Sequence, residues 1–170
     1  SRCIKVFFPN LKTEQIYQFL QNELNINNND STFISHLCNG DATFAIELSA
    51  NFKKRKENIK SLIDLMINYD INKWEKFSSN LKDKKEFQIL LKLLLIFLID
   101  IVNCKKKQGL DQIRCNFAIN EIKVFSKKYK TSAIYQSIDI INNTKQNITK
   151  NIFMPLLITT FYIEIFQALN

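Results

Sequence analysis

Glycine and proline are nearly missing from this chain, with two of each in 170 residues. Average proteins carry roughly 7% glycine and 5% proline, and every hairpin of a β-rich fold draws on those residues for its turn. The shortage therefore excludes a many-stranded fold and predicts an almost entirely helical one. Gly40 and Gly109 are the only glycines, so these residues cannot form a Gly-rich phosphate cradle or a dinucleotide fingerprint. By itself the chain should hold no nucleotide. Histidine is scarcer still: His36 stands alone, which excludes a two-histidine metal site and an intrachain histidine relay, and it is expected half-buried on a short helix. There is no nucleophile elbow and no HExxH. The four cysteines, Cys3, Cys38, Cys104 and Cys115, form no C-x-x-C pair, a spacing that suits neither a zinc ribbon nor a disulfide framework and predicts reduced thiols.

Long hydrophobic runs are also short in supply. The longest, Ile89 to Val102, is interrupted by Lys92 and Asp100 and falls short of the roughly 20 residues that cross a bilayer, so a core helix and no membrane partner are expected. No signal peptide is evident. The sequons at Asn142-Asn143-Thr144 and Asn147-Ile148-Thr149 mean little in an Asn-rich chain without a secretory signal.

What is present is ample core material, 46% hydrophobic and 12% aromatic, enough for one good core or two small ones. Lysine and arginine number 24 against 16 acidic residues, for a net charge of +8 and a pI near 9.3. Such an excess can mark a protein that meets nucleic acid or an anionic surface. Lysine greatly outnumbers arginine, however, as the codons of an AT-rich genome would supply, and a solvated surface explains much of the charge. The clusters Lys53-Lys54-Arg55-Lys56, Lys105-Lys106-Lys107 and Lys127-Lys128-Lys130 lack the interleaved aromatics of a base-stacking groove. The second precedes Gly109 at a helix C-terminus, where lysine complements the helix dipole. Asp64, Asp70 and Glu75 fall on amphipathic helices, where a solvated face explains them. Asp100 lies inside the apolar helix and calls for a lysine partner or a helix-end hydrogen bond.

The pattern reads as a short strand, Ile4 to Phe8, ending at Pro9, and then about eight helices. Thr13 is the expected cap of the first, with Ile16, Phe19, Leu20 and Leu24 on one face. Asp30 or Ser31 should cap the second, which buries Phe33, Ile34 and Leu37 and stops at a left-handed Asn39-Gly40 turn. Asp41 should cap a third, carrying Phe44, Ala45 and Leu48. Residues 51–56 read as a linker into a second unit. There the stripes Ile59/Leu62/Ile63/Met66 and Ile71/Trp74/Phe77/Leu81 precede a long helix from Lys84 to Cys104, apolar nearly all round and so surrounded by others. Three more helices follow, on Ile119/Ile122/Phe125, on Ile134/Tyr135/Ile138/Ile141 and on Phe153/Leu156/Leu157/Phe161/Ile165. Short connections favour antiparallel neighbours in a bundle.

The stretch SRCIKVFFPNLKTEQIYQFL, followed by NGDATFAIEL, resembles the end of the nucleotide-binding domain and the helical lid of AAA+ clamp-loader proteins. LLKLLLIFLIDIVNCKKKQG and NITKNIFMPLLITTFYIEIFQAL are similar to the central and last helices of their C-terminal collar, in particular that of the delta-prime subunits of bacterial DNA polymerase III. The resemblance implies an all-α chain divided into residues 1–8, the last strand of a nucleotide-binding domain; 9–50, the lid; and 51–170, the collar. With Ser1 at the first position and no Met, it implies that the rest of that domain lies upstream. Arg2 matches the arginine of the family's Ser-Arg-Cys motif, which implies an arginine finger acting in trans on the ATP-Mg of a neighbouring subunit, with Ser1 and Cys3 framing it. Such an arginine stabilises the charge of phosphoryl transfer. Members that hydrolyse ATP carry a second-sensor arginine where this chain has Thr43, so the resemblance implies a subunit that hydrolyses none itself. It would act within the polymerase holoenzyme, in the cytoplasm. Its implied partners are the gamma/tau ATPase and delta subunits through the collar, with the sliding clamp and primer-template DNA reached through the complex. Two alternatives stay open: the C-terminal part of the gamma/tau ATPase, and a freestanding basic helical module that binds nucleic acid.

Overall fold

A computed structural model describes residues 9–68, 70–81, 83–106, 113–150 and 152–170. Those residues form nine α-helices and one 3-10 turn, with no strand among them. The fold is all-α, as the scarcity of glycine and proline requires; the strand expected at Ile4 to Phe8 lies outside the described residues. The chain divides into two units between Phe52 and Lys53.

The first unit holds α1 (Thr13–Asn22), α2 (Asn28–Cys38) and α3 (Ala42–Ser49), each packed on the other two. Its small core gathers Ile16 and Leu20 from α1, Phe33 and Ile34 from α2, and Ala45 and Leu48 from α3. The ring of Phe52 stacks on Phe33 at 5.7 Å. Two caps differ from expectation. Thr13 is already helical, and Gln15 Oε1 instead accepts from the Lys12 backbone N–H at 2.9 Å. The second helix starts earlier than its polar lead-in suggests, because Asn27 Oδ1 accepts from Asp30 N at 3.0 Å; Asp30 and Ser31 lie inside the helix. The Asp41 cap is as expected, its Oδ1 accepting from Phe44 N at 2.9 Å. His36 points to solvent, and the core forms without it.

The second unit is built around α6 (Lys84–Lys105), whose buried side chains face every direction. Around it lie α4 (Phe52–Ile67), α5 (Ile71–Ser78), α7 (Ile119–Lys128), α8 (Thr131–Thr149) and α9 (Met154–Leu169), with the 3-10 turn Asn116–Ala118 leading into α7. Helix α6 packs on α7 and α8, and α9 lies between α8 and α5. Aromatic pairs mark the seams: Phe97 meets Phe125 edge-on at 5.2 Å, Phe87 meets Phe161 edge-on at 5.7 Å, and Trp74 stacks flat on Tyr162 at 3.9 Å. Each fully buried Leu, Ile or Phe on α6 contributes about 1.5–3 kcal/mol of burial free energy, which makes this helix the axis of the unit.

Two expectations are corrected. Residues 52–56, expected to be linker, are the first turns of α4. Arg55 within them is buried, and its guanidinium meets Glu86 of α6, Nε to Oε2 at 3.0 Å. A run of charge therefore reads as linker only until one of its members finds a partner. Helix α6, expected to be too short for a bilayer, spans 22 residues and includes an 18-residue stretch with a mean hydropathy of 2.1, enough by length and composition to cross one. Its burial among the other helices, rather than its length, identifies it as a core helix.

Candidate functional site

The residues that carried the catalytic expectation, Ser1, Arg2 and Cys3, lie outside the described residues. What the structure describes is the seat of the chain just after them. Leu11 N donates to Gly40 O at 3.1 Å, drawing residues 10 and 11 across the turn between α2 and α3. Asn39 takes φ 46° and Gly40 φ 88°, the left-handed region that favours glycine. A Cβ on Gly40 would stand 2.6 Å from Asn10 Cβ and 2.7 Å from Leu11 O, so only glycine lets the incoming chain lie this close. Thr43, one residue into α3, is exposed. The sequence thus has an uncharged side chain at a solvent-facing helix start, where a cation could otherwise project.

In each basic cluster the fold gives a residue a structural role, and for Lys105 it is the helix-end role that the sequence suggested. Arg55 is buried against Glu86. Lys105 closes the last turn of α6, beside the negative end of the dipole. Lys128 Nζ donates to Ile67 O at 2.9 Å, and the neighbouring Tyr129 hydroxyl donates to Met66 O at 3.0 Å. Together those two side chains cap the C-terminal carbonyls of α4 from sixty residues away. No local pattern announces such a cap.

Asp100, buried in α6, proves to be a loop anchor. Its Oδ2 accepts from Arg114 N at 3.0 Å and Cys115 N at 2.8 Å, which fixes the entry to the 3-10 turn. Of the two expected partners, a lysine or a helix-end hydrogen bond, the structure has no lysine and instead two backbone N–H groups at the lead-in to the 3-10 turn. Burial pushes the carboxyl above the usual carboxylate range, opposed by those N–H bonds and by the Arg114 charge. The Oδ1 atom has no hydrogen-bond partner. Burial, and secondarily the Asp100 charge, also holds the Cys115 thiol far above its ordinary range, so it stays protonated and inert. Among the described residues no cluster of three or more His, Cys, Asp or Glu side chains could hold a metal.

The surface with the clearest capacity to bind is the outer side of α9. Phe153 and Leu156, expected in the core, are 72% and 61% exposed, and Ile163 is 47% exposed. Leu157, Phe161 and Ile165 are the residues that face inward. Leu156 and Ile163 are seven apart and so share one stripe, in a 16-residue helix whose only charge is Glu164. On its α5 side lies a cavity of about 310 Å³ lined by Leu81, Met154, Pro155 and Ile158 with Glu75 and Ser78 beside them. On its α8 side a polar groove of about 340 Å³ is lined by Asn143, Gln146, Asn147 and Lys150 together with Thr160 and Glu164. Sequence reading missed this face because Phe153 and Leu156 satisfy the same helical spacing as the core residues. The near-absence of charge all round α9 was the available signal.

Residues 49–164 match the family model of the C-terminal domain of the DNA polymerase III delta subunit. The chain belongs to this family. The matched span covers nearly all of the second unit, so the helices around α6 are the domain itself. Membership makes the chain a clamp-loader subunit of DNA polymerase III and gives it a part in DNA replication, within the clamp-loader complex. It does not separate delta from delta-prime. No curated protein matches the chain.

Proposed function

We propose that this delta-family chain is the delta-prime subunit of a clamp loader. In this reading residues 51–170 form the collar and residues 9–50 the lid, and Arg2 acts in trans on the ATP-Mg of the neighbouring gamma/tau ATPase. The family match over residues 49–164 supports a clamp-loader subunit without favouring delta or delta-prime. Thr43 adds to it: where the resembling ATPases carry a second-sensor arginine, an exposed hydroxyl stands here, consistent with a subunit that assists hydrolysis without performing it. The Gly40 seat holds residues 10 and 11 against the turn between α2 and α3, at the start of the region read as the lid.

The mechanism divides between the two ends of the chain. The collar joins other subunits into an arc. Arg2 places a fixed positive charge against the phosphates of a neighbour's nucleotide, favouring the charge distribution of phosphoryl transfer. ATP binding in the complex then holds the sliding clamp open around primer-template DNA, and hydrolysis releases it, in the cytoplasm. Arg2→Ala should leave assembly intact and lower DNA-dependent ATP turnover of the reconstituted complex by about 10³-fold or more. Unchanged turnover would remove the finger from the mechanism.

The rival reading, a freestanding nucleic-acid module, predicts that the isolated chain holds duplex DNA with an affinity that falls steeply with salt. The structural roles of Arg55, Lys105 and Lys128 argue against it. An anisotropy titration with duplex at two salt concentrations separates the readings.

A further inference from the structure

The outer side of α9 is exposed, but nothing beside it specifies an occupant. A second concavity in the same unit does. It measures about 580 Å³ and is lined by α4 and α5, with Glu121 contributed by α7. Its apolar lining is Leu65, which is buried, and Phe77, half-buried and held against Trp74 at 5.8 Å. Lys60 of α4 and Lys76 of α5 line the same cleft, both exposed, and neither ammonium has an ion-pair partner among the described residues. Lys73 joins them, although it leans on Asp70 at 3.7 Å. The structural roles that occupy Arg55, Lys105 and Lys128 have no counterpart at Lys60 or Lys76. An exposed lysine alone is ordinary in this chain. These two differ in sharing a concavity with apolar side chains, so a single ligand can meet both kinds of group at once.

We propose that this cleft is a docking site for a short acidic peptide, a flexible segment of a protein other than the clamp-loader subunits. The segment seats an aliphatic or aromatic side chain against Leu65 and Phe77 and sets its flanking carboxylates on Lys60 and Lys76. Charge complementarity carries the choice of occupant. A net charge of +8 draws anionic segments toward the chain at long range, and unpaired ammoniums then accept carboxylates as charge-assisted partners. Size points the same way. A volume of about 580 Å³ falls in the roughly 300–1,000 Å³ range of ligand pockets and takes a few side chains, whereas a folded domain or a neighbouring subunit needs a broad face of roughly 800 Å².

The carboxylates in the cleft argue against nucleic acid. Asp64 and Glu121 both line it, and a strand that carries a charge at every phosphate would set one of them against these groups. A peptide can place a neutral or basic residue there.

The test uses the full chain and a fluorescein-labelled hexapeptide of alternating aspartate and leucine, with binding followed by anisotropy. Trp74 is the only tryptophan and touches Phe77, so the unlabelled peptide should change its emission. Lys60→Glu combined with Lys76→Glu should keep the helical circular-dichroism spectrum of the parent and weaken binding about tenfold or more, since each change removes an attraction and adds a repulsion. Lys127→Glu combined with Lys130→Glu alters the net charge equally at the α7–α8 corner and should bind as the parent does. A hexapeptide of alternating aspartate and serine has the same charge without the anchor and should bind about tenfold or more weakly, the loss expected for one unburied leucine. Equal binding of the two peptides, or equal loss in the two double variants, would reduce the attraction to diffuse charge and overturn the site. No binding of the leucine peptide at millimolar concentration would overturn it too. A thymidine hexanucleotide that binds more tightly than the leucine peptide, and is released by the Lys60 and Lys76 changes, would assign the cleft to nucleic acid and overturn the choice of partner. The clamp-loader reading is tested separately, since no other subunit is present.

Discussion

Helices α6 and α9 are both strongly apolar, yet the fold uses them in opposite ways. Helix α6 buries twelve residues spread around its whole circumference, Asp100 among them. Helix α9 buries six along one side and turns Leu156 and Ile163 outward. Apolar periodicity alone makes them look alike. Their difference lies in what surrounds them: α6 is enclosed by helices from before and after it in sequence, whereas α9 packs along one side, on α8 and α5, with Phe161 against Phe87 of α6 and the Tyr162 hydroxyl donating to Leu65 O of α4. Apolarity enclosed on every side stabilises the fold. Apolarity left facing outward beside two clefts is available to a partner.

The comparison is broken most forcefully at the centre of α6. Phe97 is fully buried and meets Phe125 edge-on at 5.2 Å, so Phe97→Ala should cost about 3–5 kcal/mol of unfolding free energy in a urea titration, through lost burial and the cavity left behind. A loss below about 1 kcal/mol would mean that α6 is not the axis of the unit.

Asp100 sharpens the comparison, because it is a polar group on the helix that tolerates least polarity. Asp100→Ala should cost about 2–3 kcal/mol by stranding the N–H groups of Arg114 and Cys115. Its pH dependence has a definite sign. The folded state holds this carboxyl above its ordinary range, so the folded state binds the proton more tightly than the unfolded chain does. Its contribution to stability is fully present below the unfolded carboxylate pKa and is lost as pH rises from there through the raised folded value. Asp100→Asn retains an acceptor oxygen and should flatten that part of the stability–pH curve. A slope identical to the parent's between pH 4 and pH 7 would show that other groups produce it.

A smaller effect is expected where α4 meets the N-terminal end of α6. Arg55 is nearly enclosed, but the Glu86 side chain is 41% exposed, so solvent screens the pair and Glu86→Ala should cost only about 1–2 kcal/mol, below the value for a fully buried pair. Added salt should diminish that cost while leaving the Phe97→Ala cost largely unchanged.

These differences also show what was legible in the sequence. Helix existence was legible wherever apolar residues recur at helical spacing, and the Asn39-Gly40 stop and the Asp41 cap could be read because the chemistry that makes them is local. Legibility ended where the cause was distant. The caps on α4 come from Lys128 and Tyr129, the anchor of Asp100 is backbone fourteen and fifteen residues away, and Arg55 finds Glu86 thirty-one residues on. Nor can spacing tell a core stripe from an interface stripe, since both exclude water once occupied. For that reason Phe153 and Leu156 were assigned inward. The clamp-loader family was legible from the order of segments, while the site expected at Arg2 rests on residues outside the described structure.

The smallest expected effect on stability is at α9. Leu156 is 61% exposed, so Leu156→Ala removes side-chain atoms that are already largely in water and should change unfolding free energy by no more than about 0.5 kcal/mol. Ile165, on the inner side of the same helix and 1% exposed, should lose about 2–5 kcal/mol on the same truncation. The contrast between two aliphatic residues nine positions apart separates packed from exposed apolar surface within a single helix. Equal losses at both would show that the outer stripe is held by the fold itself, and α9 would then be a second α6.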